Sequence, residues 1–155
     1  MSGTSCLSPQ TVDAVQIPVL AGGGIADGHG LAAMLALGAE GIVMGTRFLA
    51  TQETWVHDNV KQWMVQASEL DTSLIQKTIG STSRVARNEV ALQVMEAESR
   101  GAELDELLPL ISGRRAMKVY EEGDINAGIF SCGQSVGRIQ DIPSVKELIT
   151  EMVSE

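Results

Sequence analysis

Hydrophobic and polar positions divide the chain into two short apolar runs near its start and several helix-spaced stripes after them. Ile17, Val19 and Leu20, entered through Pro18, form a run that suits a buried parallel strand, and it stops at Gly22, Gly23 and Gly24. Leu31, Met34, Leu35 and Gly38 then fall on one helical face, with Asp27 placed to cap that helix and Gly38 to end it. Gly41-Ile42-Val43-Met44-Gly45-Thr46 repeats the plan as a second buried strand ending in a small residue with a hydroxyl. The connection is long enough for one right-handed βαβ crossover. The two strands are therefore expected to lie parallel, with both glycine-bearing ends on the same side.

Elsewhere the pattern is mostly helical. Ser8-Pro9 is read as the cap and first turn of a short helix running through Val12 and Val15. Thr51 is placed to cap a long helix whose Trp55, Val56, Val60, Trp63, Met64 and Ala67 make an apolar stripe, with both tryptophans as packing residues. Residues 72–79 fit a strand or a loop equally well. Residues 85–99 read as an amphipathic helix through Val90, Val94 and Met95, stopped near Gly101. Residues 104–120 read as helical with a break near Pro109 or Gly113, so the run 51–120 contains no evident strand pair. Gly123, Gly128, Gly133 and Gly137 punctuate a looping return. The last helix is signalled by a capping box, Ser144 with Glu147 after Pro143, and by Val145, Leu148, Ile149, Met152 and Val153 at helical spacing.

Composition narrows the possible partners. With 155 residues, 44% of them apolar, the chain can bury a core, and a net charge of −9 disfavours nucleic acid and anionic membrane surfaces. No apolar run approaches the roughly 20 residues of a spanning helix, and the polar start MSGTSC is unlike a signal peptide, so a soluble, cytoplasmic protein is expected. Cys6 and Cys132 lack metal or redox spacing and read as free thiols, and no other group has metal-ligand spacing.

The two glycine turns carry the candidate chemistry. Glycines leave backbone N–H groups uncovered, and a helix starting just beyond adds the positive end of its dipole, which together favour an anion. Either cluster alone is explained equally well as a turn; the convergence of two is what points to a ligand. GGGIADG does not have dinucleotide-binding spacing, no acid ends the second strand to hold a ribose, and no P-loop is present. What remains is the phosphate site that TIM barrels build after their last two strands, and a phosphate monoester such as FMN fits it.

At this level of detail, residues 17–48 resemble the seventh strand, seventh helix and eighth strand of the nitronate monooxygenase (2-nitropropane dioxygenase) family of FMN-dependent barrels. The resemblance continues through TQE at 51–53, TSRVARN at 82–88, EEGD at 121–124 and GQSVG at 133–137. Flavin-dependent enoyl-acyl-carrier-protein reductases share GGIADG and GTRF and are similar in second place. The resemblance implies an α/β chain forming the C-terminal part of a TIM barrel (strands seven and eight) with an added helical cap region. It divides into residues 1–50 as the last βαβ unit, 51–122 as a cap-like region, and 123–155 as a return loop and outer barrel helix. It also implies that Gly23, Gly24, Gly45 and Thr46 hold the FMN phosphate, with Gly22 in the same turn. Gln134 either brings an amide toward the flavin or simply bonds backbone.

A whole barrel takes about 250 residues, so the chain is expected to be the C-terminal portion of a larger enzyme acting on a small nitro or nitronate substrate. No catalytic residue is assigned. His29, near the supposed phosphate, is either a contact or an exposed side chain, and His57 reads as solvated on the cap-like helix. Arg84, Arg87, Arg114 and Arg115 read as scattered, solvent-facing charges rather than a cluster. Two strands with open edges predict self-association or pairing with another chain. The competing class is a non-catalytic α/β fragment or interaction subunit binding an inorganic anion or nothing.

Overall fold

The computed structural model describes residues 4–154, with side chains from residue 9 onward. Helix α1 (Thr4–Ala14) leads to β1 (Leu20–Gly22), helix α2 (Gly28–Ala36), β2 (Gly41–Val43) and the short helix α3 (Thr46–Leu49). β1 and β2 are paired in parallel, with Leu20 opposite Gly41 and Gly22 opposite Val43. The crossover is closed by local chemistry: Asp27 Oδ1 accepts from Gly30 N at 3.0 Å, and Gly38 takes the left-handed conformation (φ 91°) just past the helix.

The strands are shorter and less covered than expected. Ile17 is 70% exposed and outside the strand, and Leu20 and Val43 are 61% and 56% exposed. The reason is the pleat. Ala21 and Ile42 face α2 and the final helix, where they join Ile25, Met34, Ala39, Leu148 and Met152, while Leu20 and Val43 face the opposite side, which no described element covers. The first helix also begins earlier than expected, so that Pro9 lies inside α1 rather than in a first turn capped by Ser8. It stops at Ala14, before Val15, as the Ile17-Pro18 step disfavours helix. Cys6 lies among the residues whose side chains are not described.

The middle of the chain is not all helical. Thr51 caps no long helix: its hydroxyl is buried, bonded to Phe48 O at 2.8 Å and to Thr54 Oγ1 at 2.8 Å, within a turn. The helix that follows, α4 (Asp58–Gln66), is capped by His57, whose Nδ1 accepts from Asn59 N. His57 is therefore a half-buried structural residue, not a solvated one, and Trp55 lies before the helix, 64% exposed, with its ring edge-on to Tyr120. Strands β3 (Thr72–Ile75) and β4 (Ser83–Ala86) form an antiparallel hairpin, against the expectation of no strand pair, and residues 85 and 86 belong to it rather than to a helix. Helix α5 (Glu89–Ser99) starts after Asn88, whose side chain accepts from Ala91 N and donates to the carbonyls of Ile125 and Gly128.

α5 and helix α6 (Leu104–Ile111) pack on the hairpin through Ile75, Val85, Ala91, Val94 and Leu107. Helix α7 (Gly113–Glu122) follows directly and ends at left-handed Gly123 (φ 72°). The return then runs beside β4, with Ala86 N donating to Phe130 O and Cys132 N to Arg84 O. It packs Phe130, Cys132, Val136 and Ile139 against α4 and α7. A 3-10 turn (Gln134–Arg138) brings it back to the βαβ unit before helix α8 (Val145–Ser154). Ser144 and Glu147 form the expected capping box, although only Leu148 and Met152 of the α8 stripe are buried, leaving Ile149 and Val153 exposed, as Leu35 is on α2. Among the described residues, no helix is long and apolar enough to cross a membrane.

Candidate functional site

The parallel register puts the turn at residues 22–24 and the turn at Gly45-Thr46 at the same end of the strand pair. Gly23 and Gly24 adopt φ of 96° and 80°, where a side chain is strained. A Cβ added at Gly24 or Gly45 would meet nothing within 4 Å, so the space above both turns is open. All four glycines are exposed and Thr46 is half-buried. The two turns form a cradle at the same end of the strand pair, just ahead of α2 and α3.

Thr46 links this cradle to the return segment. Its Oγ1 accepts from Gly133 N at 2.9 Å, which leaves the hydroxyl proton available to donate elsewhere. Gln134 follows immediately, exposed, as the first residue of the 3-10 turn. At the far end of that turn Arg138 meets Asp27: Nε and Nη2 lie 2.9 and 2.5 Å from Oδ2. Partial burial alone would raise the Asp27 pKa, but the Gly30 N–H bond, the Arg138 bond and charge and the charge of His29 outweigh it and hold the carboxyl below its ordinary value. Residues 133–138 thus fasten to both glycine-bearing loops.

Arg138 was not legible as a site residue, nor was Arg47. The latter is buried, with Nη2 2.6 Å from Asp141 Oδ1 and Nη1 3.2 Å from the Asp141 carbonyl, which ties α3 to the chain entering α8. Beside it lies a cleft of about 430 Å³ reached by Asp27, Gly28, Arg47, Arg138 and Glu151. None of Gly22, Gly23, Gly24, Gly45 and Thr46 lines that cleft. Of the four arginines expected to face solvent, Arg87 and Arg114 are exposed, but Arg84 and Arg115 are half-buried, Arg84 bonding Thr72 Oγ1 and Arg115 the Ala127 carbonyl.

A second, smaller slot of about 240 Å³ opens between the hairpin end and α7, reached by Gln76, Ser83, Tyr120, Phe130 and Ser131. Gln76 holds a left-handed backbone (φ 63°), rare for a residue with a side chain. Burial pushes the Tyr120 phenol up, partly offset by the Ser131 N–H. Only Cys132 lies between Ser131 and Gly133, a span of about 7 Å if extended. Among the described residues no group of three or more His, Cys, Asp or Glu is arranged for a metal.

The fold is α/β, a parallel strand pair joined by a helical crossover together with an antiparallel hairpin. The chain belongs to the nitronate monooxygenase family, whose model matches residues 1–155, a family of flavin-dependent oxidoreductases. Over 98% of its length it is 34% identical to the (3aS,4S,5R,7aS)-5-hydroxy-7a-methyl-1-oxo-octahydro-1H-indene-4-carboxyl-CoA dehydrogenase of Rhodococcus jostii, covering 53% of that protein. A probable nitronate monooxygenase of Staphylococcus haemolyticus is 45% identical over 56% of this chain and 24% of its own. Among solved structures, FabK from Thermotoga maritima superposes with a TM-score of 0.88 at 37% identity, covering 99% of this chain and 49% of that one. Nitroalkane oxidase from Streptomyces ansochromogenes superposes at 0.77 with 27% identity, over 99% and 43%. The chain spans about half the length of the relatives that match it throughout.

Proposed function

We propose that this chain is the C-terminal portion of an FMN-dependent, nitronate monooxygenase-like oxidoreductase and contributes the phosphate end of the flavin site. β1 and β2 correspond in this reading to strands seven and eight of a TIM barrel. Residues 1–50 form the last βαβ unit, residues 51–122 a cap that includes the β3–β4 hairpin, and residues 123–155 the return and outer helix. The observation that carries the reading is the pair of open turns, 22–24 and 45–46, at one end of a parallel strand pair. FMN, when bound, supplies the electron transfer between substrate and oxygen. The chain's own part would be to bind and orient: the turns at Gly22, Gly23 and Gly24 and at Gly45 and Thr46 would flank the phosphate, and the Thr46 hydroxyl would add a donor. Gly133 fixes the rotamer of that hydroxyl, and Gln134 offers an amide. The slot beside Tyr120 is of a size for a small nitro compound or nitronate.

A second reading, action on an acyl thioester, is favoured by one observation. The carboxyl-CoA dehydrogenases match 97–98% of the chain in sequence, whereas a probable nitronate monooxygenase matches 56%, although the solved structures that cover 99% of the chain include nitroalkane oxidase as well as FabK. Both readings share the FMN cradle. Two-dimensional amide NMR of the chain titrated with FMN tests it. Weak, millimolar-range binding with shifts concentrated at residues 22–24, 45, 46 and 133 is expected; shifts elsewhere, or none at millimolar FMN, would remove the cofactor assignment.

A further inference from the structure

Asp27 caps α2 three residues beyond the glycine turn, and a carboxylate there faces a difficulty if the turn is to hold a phosphate. One negative charge at the helix N-terminus cancels much of the dipole that favours an anion, and the chain already carries a net charge of −9. The structure holds the answer to this at a residue far away in sequence. Arg138 donates to Asp27 Oδ2 through both Nε and Nη2, while Oδ1 remains on Gly30 N. Resting on the phosphate reading above, we propose that Arg138 is a positioning residue of the anion site, neutralising the Asp27 carboxylate so that the cap can stay while the cradle remains electropositive.

Stability does not account for the pair. The Arg138 side chain is 66% exposed, and an exposed ion pair contributes little to folding. Its electrostatic effect at the cradle is larger relative to what is at stake there. A unit charge near a helix N-terminus changes anion affinity on the order of two- to fivefold. The contact also spans 111 residues, so the return segment reports to the first glycine loop through charge, just as Gly133 reports to the second through Thr46.

The test uses the intact chain, with inorganic phosphate, FMN and riboflavin as probes and the amide shifts of residues 22–24, 45 and 46 as readout. Arg138→Gln is expected to weaken phosphate and FMN about two- to fivefold while leaving riboflavin, which has no phosphate, unchanged. Arg138→Lys should retain most of the affinity. Asp27→Asn, which keeps a capping oxygen, should bind phosphate at least as well as the parent chain, and adding it to Arg138→Gln should restore what that change lost. A purely structural clasp gives a different pattern, in which Arg138→Gln and Asp27→Asn weaken binding alike and the double variant recovers nothing; that result overturns the proposal. So does an Arg138→Gln chain that binds phosphate normally. If the parent chain itself shows no phosphate-dependent shifts at the cradle, the phosphate reading fails and this proposal with it.

Discussion

Thr46→Val separates the two things the Thr46 hydroxyl does. The substitution keeps shape and removes the oxygen that accepts from Gly133 N at 2.9 Å. Contact is close: a Cβ on Gly133 would lie 3.2 Å from that oxygen, so nothing else can slip in to replace it without moving the return segment. Gly133 is half-buried, so its abandoned N–H recovers part of its hydration, and the stability loss is about 1 kcal/mol, at the low end for an orphaned donor. For a chain of this size that corresponds to a fall of roughly 2–4 °C in Tm. Loss of the phosphate contact is the larger effect. A hydrogen bond to a charged group contributes about 1.5–3 kcal/mol, which is on the order of ten- to a hundredfold in affinity for phosphate or FMN. Thr46→Ser keeps the oxygen and should lose little of either. Thermal melting by far-ultraviolet circular dichroism reads the first quantity and amide shifts on titration with phosphate read the second. A Thr46→Val chain that melts lower but binds phosphate as tightly as the parent would refute the claim that this hydroxyl is a ligand and leave it a loop fastener.

Three other outcomes follow from the packing. Asn88→Ala removes the α5 cap and abandons two buried carbonyls, of Ile125 and Gly128, so urea denaturation should show a loss of about 3 kcal/mol, and Asn88→Asp should not rescue it because a carboxylate cannot donate to those carbonyls. Cys132 is buried and its thiol is pushed up to about 12, so it should resist alkylation in the folded chain at neutral pH; because the folded pKa is the raised one, the stability it contributes is intact below the unfolded thiol's pKa and declines as pH rises through it toward 12, seen as a fall in Tm that is smaller in Cys132→Ala, where the raised Tyr120 phenol still contributes. The face carrying Ile17, Leu20 and Val43 should drive concentration-dependent association of the isolated chain in sedimentation velocity, and Leu20→Ser with Val43→Thr should reduce it; a monomer at all concentrations would count against the missing-strand reading.

What could be read in the sequence was whatever a short stretch decides by itself. Asp27 as cap, Gly38 as terminator, the Ser144 and Glu147 box and the parallel order of the two strands all depend on neighbours within a few residues or on a single crossover. The failures have a common physical cause, that periodicity assumes a helix continues where apolar residues happen to recur. Trp55 and Val56 match the α4 stripe, but Thr51 and Thr54 both spend their hydroxyls on the Phe48 carbonyl, and that local competition holds the segment in a turn. Val85 and Ala86 match the α5 stripe, but Asn88 breaks it as a cap, and the pairing that makes them strand comes from Ser73 and Thr72 on one side and Phe130 on the other. The contacts that shape the candidate site are longer still, 87 residues for Thr46 with Gly133 and 111 for Asp27 with Arg138. No motif announces such a contact. GQSVGR reads as a glycine-rich connection until the fold lays its first residue against one glycine loop and its last against the other. The same six residues then join the two loops through one hydrogen bond and one ion pair.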